Sequence, residues 1–282
     1  MNFKTIIQRK KTLESYTVVG VVLLIVSFIL FIPTRGVSGV TFLIGMLLAG
    51  FSSNKLKKIS VEYKETYLAK HIKELIPEAV YKPKEGFDSD FIINSGILKK
   101  EDRIASEDYL SGVILDYPFR SADVHLQDVR SDGKTTSVVT VFQGRLFEIK
   151  VTNKSFRPLY IMPNKTSRFG HLRRMEKIDL EMITFNKTFD LFCEDKHFAF
   201  KLLTPRMMEK IMEFNELHPK VRIGFDQNRI MVAIDTRIDT FDLRMFKPVD
   251  DPIALIQKEI DFLTVLIQEI IQPTTRKKGV ES

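Results

Sequence analysis

Residues 16–51 read YTVVGVVLLIVSFILFIPTRGVSGVTFLIGMLLAGF, two apolar runs parted by Pro33, Thr34, Arg35 and Gly36. No charge falls between Thr17 and Ile32. A helix that is apolar on every face has no side to turn to water, so it belongs in a large core or in a bilayer. Each run comes close to the roughly 17–20 residues that a membrane-spanning helix needs. Tyr16 extends the first run at an interface, and Ser52 and Ser53 extend the second. Proline stops a helix and glycine permits a sharp reversal, so residues 17–53 read as a transmembrane helical hairpin. A secretory signal peptide also starts basic and turns apolar. Here, however, no small-x-small cleavage site follows Ile32, and a second apolar run begins at once.

Charge supplies the orientation. The 282-residue chain carries a formal net charge of +7. Lys4, Arg9, Lys10 and Lys11 stand before the first run against Glu14, and Lys55, Lys57, Lys58 and Lys64 follow the second against Glu62. These flanks hold nearly the whole excess, whereas the hairpin tip holds only Arg35. Lysine and arginine stay on the cytoplasmic side, so both termini are expected there, with the polar remainder of the chain. Basic residues beside apolar spans point to anionic lipid headgroups rather than nucleic acid. Spans this short favour a bacterial inner membrane, which is thin.

Beyond the hairpin the fold class reads as α+β. Leu56, Ile59, Tyr63 and Tyr67 recur at three- and four-residue steps before Pro77, which predicts a helical stalk over residues 54–77. Pro83 and Gly86 mark a loop, and a short helix over Phe91–Leu98 is capped by Asp88 or Ser89. From Arg103 onward, segments rich in β-branched and aromatic residues are punctuated by SDGK and Gly144 and predict an antiparallel meander. LEMITFNKTFDLFCED reads as strand and turn. A helix follows with Thr204 as cap and Pro205 in its first position, then a hairpin around Asp226, Gln227 and Asn228. In the last helix, 251–272, Ile253, Ile256, Ile260, Leu263, Ile267 and Ile270 form a stripe. Leu255, Phe262 and Leu266 widen it, which favours packing on its own domain; a seam joining two copies into a homo-oligomer is the alternative. The expected division is a basic cytoplasmic N-terminus at 1–16, the hairpin at 17–53, the stalk at 54–77, a cytoplasmic domain at 78–272 and a flexible tail at 273–282. Within the cytoplasmic domain, 78–165 and 176–272 are candidate sub-units.

No pattern for catalysis, cofactor or metal stands out. The single cysteine, Cys193, can form no disulfide within the chain, and Glu194 and Asp195 beside it disfavour a thiolate. The five histidines show no metal-ligand spacing. Asp235, Asp239 and Asp242 alternate with Arg237 and Arg244, as turn caps and local ion pairs do. A Gly-rich phosphate loop is missing. The most distinctive polar stretch is SRFGHLRRMEK, with Arg168, Arg173, Arg174 and Lys177 around His171. Together with Lys10, Lys11, Lys55, Lys57 and Lys58, these are the candidate contacts for lipid headgroups or a protein partner.

Several landmarks, taken in order, carry a resemblance. They are the N-terminal helical pair, YKETYLAKHIKELIPEAVYKP, FIINSGIL, EDYLSGV, FQGRLFEI, FNKTFDLFCEDKHFAFKLLTPRMMEKIMEF and IMVAI. In this order the chain resembles, over nearly its whole length, a bacterial membrane family known as domain-of-unknown-function family 3137. The resemblance implies a membrane-anchored cytoplasmic α+β domain and brings no activity with it. The expected function is a membrane-anchored scaffold that recruits a protein or an anionic lipid at the inner membrane. The alternatives are a membrane-associated enzyme with a dispersed active site, or a defence or stress module acting on the membrane.

Overall fold

The structure, a computed structural model, describes residues 3–34, 37–237, 241–247 and 251–271. The chain divides into two units, Met1–Glu74 with Thr240–Ile253, and Leu75–Asp239 with Ala254–Ser282. Arg35, Gly36, Asp239 and the tail 273–282 lie outside the described residues.

In the first unit the apolar runs are helices, α1 (Phe3–Thr34) and α2 (Val37–Glu62). α1 ends one residue beyond Pro33. The pair packs through small residues. A Cβ on Gly45 would sit 2.7 Å from the carbonyl oxygen of Gly20, and one on Gly20 would sit 2.9 Å from that of Gly45. Only glycine lets two helix backbones come this close. The Ser27 and Thr41 hydroxyls meet at 2.7 Å across the same seam. The outward side chains are apolar and open, with Phe28 84% and Leu47 70% exposed. Phe3–Ile29 and Gly39–Leu75 are each long and apolar enough to cross a membrane.

α2 runs on without a break through a π-helical turn, Tyr63–Leu68, into α3 (Ala69–Leu75). Of the residues that announce this helix, Leu56, Ile59 and Tyr63 are buried and Tyr67 is half-buried. The segment 241–247 lies along α1 and α2. Asp242 pairs with Lys64 at 2.7 Å, and the Leu243 N–H donates to Ser60 Oγ at 3.2 Å. The Phe246 N–H donates to Glu14 at 2.8 Å, and Lys10 Nζ donates to the Lys247 carbonyl at 2.8 Å. This strap joins residues far apart in sequence, so no local pattern announces it.

The second unit is built on an antiparallel sheet. Its strands are β1 (Val80–Lys82), β2 (Arg103–Ile114), β3 (Tyr117–Ser131), β4 (Thr136–Lys150), β5 (Phe156–Pro163), β6 (Glu176–Ile178), β7 (Phe189–Cys193), β8 (Arg222–Gln227) and β9 (Arg229–Ile234). Their order across the sheet is β1-β2-β3-β4-β9-β8-β5-β7-β6. β2, β3 and β4 form the meander expected from Arg103 onward, and β1 pairs along the outer edge of β2. The β8–β9 hairpin, which turns at Gln227 and Asn228, inserts beside β4, and β5 joins from the far side of β8. One sheet thus runs unbroken through the region where two sub-units are candidates.

Gly144 does not break a strand. It sits inside β4, where a Cβ would meet the Ile234 carbonyl oxygen at 1.9 Å. The glycine therefore lets β9 approach. β1 and β5 fall in stretches without a strand signal, and LEMITFNKTF holds a helix, α5 (Ile183–Thr188), ahead of β7.

Helices cover both faces. α4 (Ser89–Asn94) is capped by Asp88, whose carboxylate accepts from the Phe91 N–H at 2.7 Å. On its face Ile92, Ile97, Leu126, Phe142, Tyr160, Leu172 and Phe192 form a core cluster. α6 (Lys196–Leu202), α7 (Pro205–Leu217) and α8 (Pro252–Ile271) serve the opposite face. Thr204 caps α7 through the Met207 N–H at 3.2 Å, as its sequence predicts. Phe214 of α7 stacks on Phe262 of α8 with ring centres 3.7 Å apart. The stripe residues Ile256, Leu263, Ile267 and Ile270 are buried within the chain.

That same face holds a buried ion network. Arg145, on β4, is 3% exposed and donates to Asp123 at 2.7 Å and to Glu259 of α8 at 3.4 Å. Burial alone would lower the arginine's pKa, but Asp123 and Glu259 more than reverse it. The carboxyl of Glu259 is pushed up by burial against the pull of Arg145. Nearby, Asp108 sits at a bulge in β2 with φ of 57° and accepts from the Tyr81 hydroxyl at 2.5 Å.

Candidate functional site

The nine basic residues singled out by sequence fall into two groups, one in each unit. In the first unit, Lys11, Lys55, Lys57 and Lys58 are exposed on the helices that continue from the apolar spans. Lys10 is different. It is buried, pairs with Glu14 and donates to the Lys247 carbonyl, so its ammonium is turned into the strap. A cation taken from water needs such partners, and these satisfy it. Phe246, 59% exposed, protrudes beside Glu14, two residues before Tyr16.

In the second unit, the basic stretch spans a short 3-10 turn, Gly170–Arg173, and leads into β6. The loop is pinned from below. Leu172 and Met175 enter the core cluster, and His171 lies on the Tyr160 ring at 4.6 Å. Its ring also covers Gly96, where a Cβ would meet His171 Cε1 at 2.8 Å. Burial lowers the His171 pKa and pushes the Tyr160 hydroxyl up to about 12. Arg173 and Arg174 are exposed, and the Arg173 Nε donates to the Arg168 carbonyl at 3.3 Å. Arg168 lies over the Phe192 ring at 5.2 Å. Lys177 pairs with the buried Asp190 at 2.6 Å, so its charge is compensated.

Beside this loop opens a cleft of about 280 Å³. Its wall is the end of the core cluster, Ile97, Leu98, Leu126 and Phe142, and Ser167 and Phe169 of the basic loop border it. Arg222, the first residue of β8, reaches into it across the Phe142 ring, 5.2 Å from guanidinium carbon to ring centre. Sequence reasoning missed Arg222. In VRIGFDQ it alternates with Val221 and Ile223, as a solvent-facing residue would, but both faces of this sheet are covered.

Cys193 is buried, and burial followed by Glu176 pushes its thiol up, away from the reactive thiolate form. Asp235 accepts from the Gln143 N–H at 3.3 Å and from Arg237 at 3.1 Å, and Asp242 pairs with Lys64. Among the described residues no group of three or more His, Cys, Asp or Glu side chains is placed to hold a metal ion.

No curated protein matches the chain. The solved structure of the mycobacterial trehalose monomycolate transport factor A is similar at a TM-score of 0.39 and 10% identity, over 67% of this chain and 87% of that one. A likeness that weak carries no argument. A family model matches residues 140–271, from β4 to the end of α8, so the resemblance rests on about half the chain and not on nearly all of it. The family that this chain resembles over 140–271 is the one described as "Protein of unknown function (DUF3137)".

Proposed function

We propose that the chain is a membrane-anchored binding module of a bacterial inner membrane, with α1 and α2 crossing the bilayer and both termini in the cytoplasm. The observation that carries this is the hairpin itself. Large apolar side chains point outward along both helices, while glycines and a hydroxyl pair fill the seam between them. Water would penalise that arrangement, at roughly 25 cal/mol for each Å² of apolar surface, and lipid would not. Lys11, Lys55, Lys57 and Lys58 stand where the helices leave the spans and meet anionic headgroups, each adding about 1 kcal/mol. The strap holds Phe246 near the start of the first span, where an aromatic ring suits the interface.

The second unit recruits the partner. Its basic loop is rigidly seated and presents Arg173 and Arg174 outward, which suits an acidic protein surface. In-cell photo-crosslinking tests this. A photoreactive residue at Arg173 or Arg174 is expected to give a discrete adduct of higher mass, and one at Glu209, exposed on α7 on the opposite face of the sheet, is expected to give none. Adducts equally abundant from all three positions, or absent from all, would overturn the recruiting role.

A further inference from the structure

The cleft beside the basic loop holds an unusual charge. The Nη1 atom of Arg222 is buried and has no hydrogen-bond partner. The carboxylate that acts on it, Asp235, gives one oxygen to Gln143 and Arg237, and its other oxygen is buried without a hydrogen-bond partner. Burial and the neighbouring Arg237 weaken this arginine's hold on its proton, against the pull of Asp235. A charged N–H shut away from water without an acceptor destabilises a fold, so its retention in a ligand-sized opening calls for an anionic occupant.

We propose that this cleft binds a small monocarboxylate with an apolar body. The planar fork of Arg222 matches a carboxylate through two parallel hydrogen bonds. The apolar body lies against Phe142, Phe169 and Ile97. The two cations at the mouth are already compensated, Lys99 by Glu101 at 3.3 Å and Arg130 by Asp128 at 2.7 Å. Of the three cations that line the cleft, Arg222 has the buried N–H without a hydrogen-bond partner, and one carboxylate satisfies it. A dianion would bring a second charge into an apolar wall with nothing to meet it. The volume, about 280 Å³, is roughly that of nine waters in the liquid. That room suits one aromatic ring with a short acid arm, or a short aliphatic acid. The proposal rests on the second unit alone and does not depend on the membrane assignment.

Calorimetric titration of the detergent-solubilised full chain tests it, with three probes of nearly one shape: phenylacetate, the neutral 2-phenylethanol and the dianionic phenyl phosphate. Phenylacetate is expected to bind at least about tenfold more tightly than either of the others. Arg222→Met is expected to lose that preference and, without ligand, to melt at a higher temperature, because a buried N–H without an acceptor is gone. Ser167→Trp, at the exposed mouth, is expected to block phenylacetate with the melting temperature unchanged. The proposal is overturned if phenylacetate shows no saturable binding into the millimolar range, or if either other probe binds as well. Undiminished phenylacetate binding by Ser167→Trp overturns it too, and this decides the matter even if Arg222→Met does not fold.

Discussion

Arg145→Met is expected to destabilise the second unit by about 3–5 kcal/mol. Its guanidinium pairs with Asp123 at 2.7 Å and with Glu259, itself 3% exposed, at 3.4 Å. Removing it takes the cation away from both carboxylates in the layer between the sheet and α8. Glu259, already pushed up by burial, can take a proton and soften the loss. Arg145→Lys keeps a charge but loses the fork, and its loss is expected to fall between the two. Urea unfolding followed by ellipticity gives the number, and a loss under about 1 kcal/mol would show that the network is not a structural element. The expected contrast with Arg222→Met is one of sign. Two arginines lie on opposite faces of one sheet, one saturated with partners and one lacking a partner at Nη1, and only the first should be costly to remove.

Gly45→Leu is expected to separate α1 from α2. The new Cβ would stand 2.7 Å from the Gly20 carbonyl oxygen and 3.0 Å from Leu24 Cγ, distances that no side-chain rotation relieves because one obstacle is backbone. The readout is a disulfide across the seam. Ser27→Cys with Thr41→Cys, in a Cys193→Ser background, is expected to close readily under mild oxidation, since the native hydroxyls are 2.7 Å apart. Adding Gly45→Leu should cut the yield of the linked peptide at least about fivefold, measured by mass spectrometry. An undiminished yield would mean that the helices do not pack through their glycines.

The elements legible from sequence were those whose evidence is local. The apolar runs need only their own residues to declare themselves. Thr204 with Pro205 starts α7 by capping chemistry, and Gln227–Asn228 turns the β8–β9 hairpin. What stayed hidden is non-local. β5 enters the sheet between β8 and β7, so its surroundings are set by strands far along the chain. Gly144 looked like punctuation because a glycine in a strand and a glycine in a turn share one letter, and only the approach of Ile234 tells them apart. The candidate sites divide in the same way. A cluster of basic residues is visible in one dimension, but whether each cation faces outward is not. Lys10 turned into the strap, Lys177 met Asp190, and Arg222 gave no sign of the cleft it reaches into.

The central claim is that two helices cross a bilayer and return the folded part to the side on which the chain began. Single cysteines at Arg35, Lys11 and Lys55, in the Cys193→Ser background, test it with a membrane-impermeant maleimide applied to spheroplasts. The account predicts that the Arg35→Cys protein is labelled at once, and that the Lys11→Cys and Lys55→Cys proteins are labelled only after the membrane is opened. Labelling at position 55 but not at 11, or at all three positions without permeabilisation, would contradict it.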